Sequence, residues 1–367
     1  MIKICHIISG DLWAGAEVMA FHLLKGLTKY EDVDLSVVLL NEGRLAEEIR
    51  RLGVPLEVID ESKTAFSKMI WAVRKMLNSV SPDVIHSHRY KENILSYLAS
   101  KTRKGGKLIG TQHGMPESYG GKRSLKNHLI SNFNSLLLSR CFQNVVAVSN
   151  EIQETLVKQY GSSSKSRVSV IHNGITIPES LSTRKTKDTF VIGSSGRFFP
   201  VKDYPLMVEV AREILKNTNT VHFELAGDGP ELRNLQTMVH RYGLGERFVL
   251  RGFLNDMGPF YQELDVYLNT SVHEGIPLSV LEAMAHRVPV IAPRVGGLSE
   301  IVEDGMDGYL IENRNPKAFA EKCLQLLKNK TLREQIGSAA REKVISGFSI
   351  DQMAGKYYRL YRDVVGM

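Results

Sequence analysis

The sequence predicts an α/β protein built from two Rossmann-like domains, each a doubly wound parallel sheet. Apolar runs of strand length alternate with helical segments from residue 2 to residue 112, the pattern of βαβ units whose crossovers return the chain to a parallel strand. A strand, glycine-bearing loop and helix occur together at residues 2–28 and again at 190–215, so the architecture restarts midway. Between the two, residues 179–188 are polar and charged, as a linker is. The 367 residues, 43% hydrophobic, suffice for two cores. The domains are placed at 1–178 and 179–349, with a terminal helix at 350–367.

Composition excludes several classes. No run approaches the ~20 apolar residues that a membrane span needs, and the opening Met-Ile-Lys-Ile-Cys-His enters a strand directly, so a cytoplasmic protein is expected. Cys5, Cys141 and Cys323 have neither disulfide nor zinc spacing and read as buried thiols. The net charge of +7 lies in the first half: residues 1–178 carry 23 Lys+Arg against 16 Asp+Glu, and residues 179–367 carry 24 against 24. Residues 101–140 hold eight basic side chains, Lys122, Arg123 and Lys126 among them, against the one acid Glu117, which calls for an anionic partner. No aromatic stacking set accompanies them, so nucleic acid is not expected.

In the first domain, residues 2–9 form a strand, and the loop Gly10-Asp-Leu-Trp-Ala-Gly15-Ala-Glu17 opens a helix to about residue 28. This is not the G-x-G-x-x-G dinucleotide fingerprint. Asp32-Val33-Asp34 matches the D-x-D of metal-dependent transferases, but it sits at a helix-to-strand joint and reads as a solvated turn. Strands at 35–40, 56–59, 84–86, 108–112, 145–148 and 168–171 alternate with helices at 45–51, 66–77, 92–99, 122–139 and 149–160. His86-Ser-His88 and Thr111-Gln-His113-Gly114 fall at carboxyl ends of strands, where open α/β sheets bind ligands. His86 reads as a hydrogen-bonded packing residue. In the helix at 122–139, Leu125, Leu129, Phe133, Leu136 and Leu137 make one apolar stripe that reads as core-facing.

The second domain opens with a strand at 190–193 and Gly196-Arg197-Phe-Phe-Pro-Val-Lys202-Asp203 before a helix at 204–215. A guanidinium and an ammonium bracketing a strand-to-helix turn suit a diphosphate whose negative charge grows as it departs. A strand at 222–225 enters the turn Gly227-Asp-Gly-Pro, and strands follow at 248–250 and 266–268. Then comes Glu274-Gly275-Ile276-Pro277-Leu278-Ser279-Val-Leu-Glu282, with Pro277 as the first residue of a helix to Ala285. The free N–H groups near Leu278 and Ser279, at the positive end of the helix dipole, suit a phosphate. Glu274 precedes the helix and Glu282 lies one turn inside it, so both can present carboxylates to sugar hydroxyls. A strand at 288–291, a helix opening at Gly296-Gly-Leu-Ser-Glu300 and helices at 316–327, 332–345 and 350–365 complete the chain.

The wording from Glu274 to Glu282 resembles the E-x7-E signature of retaining glycosyltransferases with the two-domain GT-B fold, in the large family 4-like, group 1 class that includes bacterial polysaccharide, lipopolysaccharide and mannosyl transferases. The Ala-Gly15-Ala-Glu loop is similar to that family's Gly-Gly-Ala-Glu, with Ala14 replacing a glycine; Arg197…Lys202-Asp203 is similar to its Gly-Arg…Lys-Gly, with Asp203 in place of the usual glycine. The motifs occur in the family's order over nearly the whole chain. The resemblance implies two domains facing a cleft, with the acceptor on the first and a nucleotide sugar on the second. It places Gly15 near the donor, His113 beside the transferred sugar, Gly196 and Gly227 at the nucleotide, Phe253 at the base and the last helix back on the first domain. It also implies retention of configuration and a reaction needing no metal or cofactor. The basic segment then implies a glycan or lipid-linked acceptor and peripheral contact with an anionic membrane. The rival is a sugar-nucleotide epimerase on the same scaffold, which would consume donor without an acceptor.

Overall fold

The computed structural model describes residues 1–10, 13–101, 105–114, 125–181 and 189–367. The chain divides into two compact units, Met1–Gly174 with Ile350–Met367, and Ile175–Ser349. In the first unit the elements run β1 (Ile2–Ile8), α1 (Gly15–Leu27), β2 (Val33–Leu39), α2 (Arg44–Arg51), β3 (Leu56–Val58), α3 (Phe66–Val80), β4 (Val84–Ser87), α4 (Tyr90–Ser100), β5 (Lys107–Gln112), α5 (Leu125–Cys141), β6 (Asn144–Ala147), α6 (Asn150–Tyr160) and β7 (Val168–Val170). The seven strands are ordered β3-β2-β1-β4-β5-β6-β7, every pair parallel. Sequence order reverses between β1 and β4, which opens a crevice at their carboxyl ends, the place where such sheets take ligands.

The second unit continues with β8 (Phe190–Ser195), α7 (Tyr204–Leu215), β9 (Val221–Ala226), α8 (Leu232–Arg241), β10 (Phe248–Gly252), α9 (Gly258–Glu263), β11 (Val266–Leu268), α10 (Leu278–Ala285), β12 (Val290–Pro293), α11 (Leu298–Ile301), β13 (Gly308–Ile311), α12 (Pro316–Lys328) and α13 (Lys330–Gly347). Its six parallel strands are ordered β10-β9-β8-β11-β12-β13, so here the order reverses between β8 and β11. Both strands read as short unbroken apolar runs because helices cover both sheet faces: Ile192, Val266, Tyr267 and Leu268 have no exposed surface. The two loops that leave this switch point, after β8 and after β11, are those carrying Arg197, Lys202 and Glu274.

The terminal helix α14 (Ile350–Val365) belongs to the first unit, where it packs on α1. The fit is close enough that a Cβ on Gly26 would stand 2.5 Å from the Ala354 Cβ, and Tyr357 and Tyr361 on α14 are fully buried.

One expectation about faces is corrected. The apolar stripe of α5 is not core-facing throughout: Leu137 and Leu138 are buried, but Leu129, Phe133 and Leu136 are 62%, 43% and 48% exposed. Helical period shows that these side chains share a face without showing what covers it. Lys122 and Arg123 lie outside the described residues, and Lys126 is described only as part of α5. No helix among the described residues is long and apolar enough to cross a membrane.

Candidate active site

In the second unit, two loops come together at the β8/β11 switch point. Lys202 Nζ donates to Glu274 Oε1 at 2.5 Å, and the same oxygen accepts from Ser271 Oγ at 2.6 Å and Asn269 Nδ2 at 3.5 Å. The Lys202 and Glu274 side chains are only 22% and 11% exposed, so the pair is screened less than a surface salt bridge. Backbone bonds hold the loops in register: Val272 N–H reaches Val201 O at 2.8 Å, and the Thr270 hydroxyl reaches Lys202 O at 2.9 Å. Arg314, before α12, donates to Ser271 O at 2.9 Å and Thr270 O at 2.7 Å and pairs with Asp203. Asp203 has φ +43°, a left-handed conformation that explains why a glycine suits this position; here the Arg314 bond holds the aspartate.

Two close backbone passes shape the same corner. A Cβ on Gly227 would sit 1.9 Å from Gly196 O, and one on Gly297 would sit 1.9 Å from Gly275 O. Gly227 N–H also bonds Gly252 O at 2.8 Å, which ties the Gly227 turn to the segment carrying Phe253, itself 60% exposed. Gly297 N–H bonds Glu274 O at 3.0 Å, so the loop after β12 backs the carboxylate-bearing segment. Gly196 lies beside Lys202, whose Cε would stand 3.7 Å from an added Cβ. Arg197 is exposed, with its guanidinium 4.8 Å from the Phe199 ring centroid.

Helix α10 begins at Leu278, with Pro277 as its N-cap and Ile276 buried behind it. The expected start at Pro277 is thus one residue early, which leaves the N–H groups of Leu278 and Ser279 without acceptors inside the helix, as expected for a helix start. Glu282 is half-buried on α10 and accepts from Tyr261 OH at 2.7 Å. Burial pushes its carboxyl up to about 7, with the Tyr261 bond opposing that rise. Tyr261 also meets Ser195 Oγ at 3.1 Å, and Ser195 meets Tyr267 OH at 3.2 Å, so α9 and β11 buttress Glu282 from behind. Glu274 and Glu282 therefore sit in separate networks, one cationic and one phenolic.

The first unit gathers imidazoles at its switch point. His6 Nδ1 lies 3.1 Å from His88 Nε2, and His88 Nδ1 lies 3.2 Å from His113 Nε2. His86 meets Tyr361 OH at 2.7 Å and Thr111 Oγ1 at 2.8 Å, the hydrogen-bonded packing role read from sequence. Burial holds His6 and His113 down at about 3, Arg89 adding to the effect at His113, and it holds His86 and His88 well below the ordinary value. Arg89 in turn pairs at 2.5 Å with buried Glu17, at the start of α1. Gly15 opens α1, and an added Cβ there would meet nothing within 4 Å. Nitrogens of His6, His86 and His88 come within 4.8 Å of one another, the spacing of a metal site, but five of the six ring nitrogens already have side-chain partners. Asp32 and Asp34 sit at the amino end of β2, opposite the strand ends that carry these groups, and Asp32 accepts from Tyr358 OH at 2.7 Å.

Sequence reasoning missed Tyr261, Arg314 and His6, and it read the Gly296-Gly-Leu-Ser-Glu300 opening without its close pass on Gly275. Each missed side chain acts through a partner distant in sequence.

Two family models match the chain almost end to end: Glycosyltransferase Family 4 over residues 13–177 and Glycosyl transferases group 1 over residues 179–343. An Escherichia coli relative named UDP-Gal:alpha-D-GlcNAc-diphosphoundecaprenol alpha-1,3-galactosyltransferase is 26% identical over 99% of this chain and 97% of its own. A Staphylococcus aureus poly(ribitol-phosphate) alpha-N-acetylglucosaminyltransferase is 33% identical over 52% of this chain and 37% of its own. Among solved structures, Anabaena HepE in complex with UDP and glucose superimposes with a TM-score of 0.83 at 21% identity, covering 98% of this chain and 99% of its own. Sucrose-phosphate synthase from Thermosynechococcus elongatus gives 0.82 at 18%, covering all of both chains.

The histidine cluster makes the first unit acid-sensitive. A histidine held at about 3 in the fold and titrating near 6.5 when unfolded contributes stability that is present above 6.5 and lost as pH falls from there towards 3. From pH 7 to pH 5, His6 alone should cost about 2 kcal/mol. Urea unfolding read by tryptophan fluorescence isolates this unit, since Trp13 and Trp71 are the chain's two tryptophans. The loss between pH 7 and pH 5 should shrink by about that amount in His6→Gln; an unchanged loss would show that His6 does not carry it.

Proposed function

The chain belongs to the family 4-like glycosyltransferases of the GT-B fold, and on that premise we propose that it is a retaining, metal-independent enzyme moving a sugar from a nucleoside diphosphate donor to a glycan or lipid-linked acceptor in cell-surface polysaccharide or glycolipid synthesis. The observation that carries this reading is the Lys202–Glu274 pair, an ammonium and a carboxylate held together beside the start of α10. When donor binds, Lys202 and Arg197 take the diphosphate together with the N–H groups of Leu278 and Ser279. Glu274 takes hydroxyls of the transferred sugar, and Glu282 takes the ribose diol. Gly196, Gly227 and Phe253 border the base and phosphates, with Gly275, Ile276 and Pro277 as the wall between the carboxylates. The bond from the anomeric carbon to the diphosphate oxygen breaks, and a bond to the acceptor oxygen forms on the same face. The acceptor proton passes to the departing phosphate oxygen, yielding nucleoside diphosphate, and cationic side chains supply the charge that a metal supplies elsewhere. His113 serves the reaction from the first unit, which holds the acceptor.

The name of the Escherichia coli relative, with a UDP-linked donor and a diphosphate lipid acceptor, supports a uridine diphosphate sugar and an anionic acceptor here. The Escherichia coli and Staphylococcus aureus relatives are both named as transferases, which disfavours the epimerase. Acceptor-dependent UDP release tests the assignment. Lys202→Ala and Arg197→Ala should each lose ~10²–10³ in kcat, the usual cost of removing a preorganised charge-stabilising donor. Near-normal kcat in both variants, or donor consumed equally with and without acceptor, would overturn it.

Membrane docking through α5 forms part of the same proposal. Leu129, Phe133 and Leu136 expose an apolar ridge on α5, and the sequence around the start of that helix carries Lys122, Arg123 and Lys126. Each apolar side chain contributes up to about 2 kcal/mol when fully buried, and each basic residue about 1 kcal/mol at an anionic surface. Such a helix docks at the inner face of the cell membrane without crossing it. Co-sedimentation with vesicles of phosphatidylglycerol should exceed that with phosphatidylcholine, fall with salt, and fall again in Phe133→Ser or a Lys122→Glu, Arg123→Glu, Lys126→Glu triple variant. Equal failure to bind both vesicle types would leave a soluble enzyme.

A further inference from the structure

His6, His88 and His113 form one hydrogen-bonded row. The His6 and His88 ring centroids are 5.4 Å apart with planes at 24°, and those of His88 and His113 are 5.4 Å apart at 22°. The row has two links, His6 Nδ1 to His88 Nε2 and His88 Nδ1 to His113 Nε2. Its far end, His6 Nε2, is buried with no hydrogen-bond partner. All three rings stay neutral, because burial without a carboxylate in the row disfavours the cation.

A neutral imidazole carries one proton, so the row has only two self-consistent states. In one, His6 Nδ1–H donates to His88 Nε2, His88 Nδ1–H donates to His113 Nε2, and His113 keeps its proton on Nδ1. In the other, every link is reversed, and the last proton comes to rest on His6 Nε2. The second state buries an N–H donor without an acceptor, an arrangement that folded proteins almost never tolerate; the first leaves only a bare lone pair there. The orphaned end therefore sets the direction of the whole row.

We propose that His6 and His88 are positioning residues that fix His113 as its Nδ1–H tautomer, so that the remaining ring nitrogen of His113 is a hydrogen-bond donor. A donor suits an oxygen of the transferred sugar, a lone pair rather than a proton to be abstracted. This casts His113 as a binding and polarising group and not as a general base. The inference rests on the reading that His113 serves the transfer, but the tautomer is measurable without substrate, so the two stand or fall separately.

The second network fixes the row in place. His86 is clamped between Tyr361 on α14 and Thr111, which also meets Tyr357 OH at 3.0 Å, and its ring lies 4.3 Å from that of His88. Since Nδ1 and Nε2 of His86 both have partners of their own, it takes no link in the row.

Long-range proton–nitrogen NMR on the full chain labelled with ¹⁵N-histidine tests this directly, with His113→Gln identifying the His113 signals. The wild-type protein should show His113 protonated on Nδ1 and bare on Nε2. In His88→Phe the constraint is gone, and the Nε2–H form should appear. In His88→Asn, whose amide can donate from near the Nδ1 position, the Nδ1–H form should be restored. A wild-type His113 protonated on Nε2 or on both nitrogens would overturn the proposal, whether or not the variants fold. So would a tautomer unchanged in His88→Phe.

Discussion

Lys202 and Glu274 meet at 2.5 Å between two loops also joined by one backbone bond, the Thr270 hydroxyl and Arg314, and the corner at the β8/β11 switch point is built around that contact. The pair places a cation and an anion side by side at a strand switch point, so either can turn to an incoming group of opposite or hydroxylic character. Ser271 and Asn269 also donate to the carboxylate, so its orientation does not rest on the ammonium alone. Truncating either partner would leave the other charge poorly solvated, which makes the pair a stronger constraint than its net contribution to stability suggests. The close passes of Gly227 over Gly196 and Gly297 over Gly275 set how near these loops can come, and no other residue fits at either crossing without backbone movement.

The two units differ in how much charge they keep at their switch points. In the second, charges are kept and compensated, with Lys202 against Glu274 and Arg314 against Asp203. Glu282 is the intermediate case, a half-buried carboxyl that burial pushes up to about 7 while the Tyr261 hydroxyl opposes the rise. In the first, burial holds the imidazoles neutral, and they join phenols and a threonine hydroxyl in hydrogen-bonded networks beside the ion pair of Arg89 with buried Glu17.

Strand and helix order was legible because parallel strands buried on both faces read as unbroken apolar runs: β11 over Val266–Leu268 and α7 over Tyr204–Leu215 fall where the sequence places them. The short β13 was not, since its four residues follow Asp-Gly-Met-Asp and carry no period. The Glu274 to Glu282 segment stood out through its resemblance to a family signature and its place after an apolar strand, and the structure puts Glu274 in the loop before α10 and Glu282 within the helix. Tyr261, Arg314 and His6 were invisible for the converse reason: their roles come from partners tens of residues away, and nothing local to a tyrosine on α9 says that it will meet a carboxylate on α10. The α5 stripe shows the limit of period from the other side. Leu137 and Leu138 face the core while Leu129, Phe133 and Leu136 do not, so the buried face is offset from the stripe read in sequence, and it depends on neighbours that the helix itself does not encode.

The central claim is that the diphosphate takes Lys202 from Glu274, so the two side chains compete for one partner before they cooperate in transfer. Calorimetric titration of UDP tests it most directly. Lys202→Ala should weaken UDP by about tenfold or more, the worth of one charge-assisted hydrogen bond. Glu274→Ala, which frees the ammonium, should bind UDP as tightly as the wild-type protein or more tightly. A Glu274→Ala protein that loses UDP affinity as severely as Lys202→Ala would contradict the account.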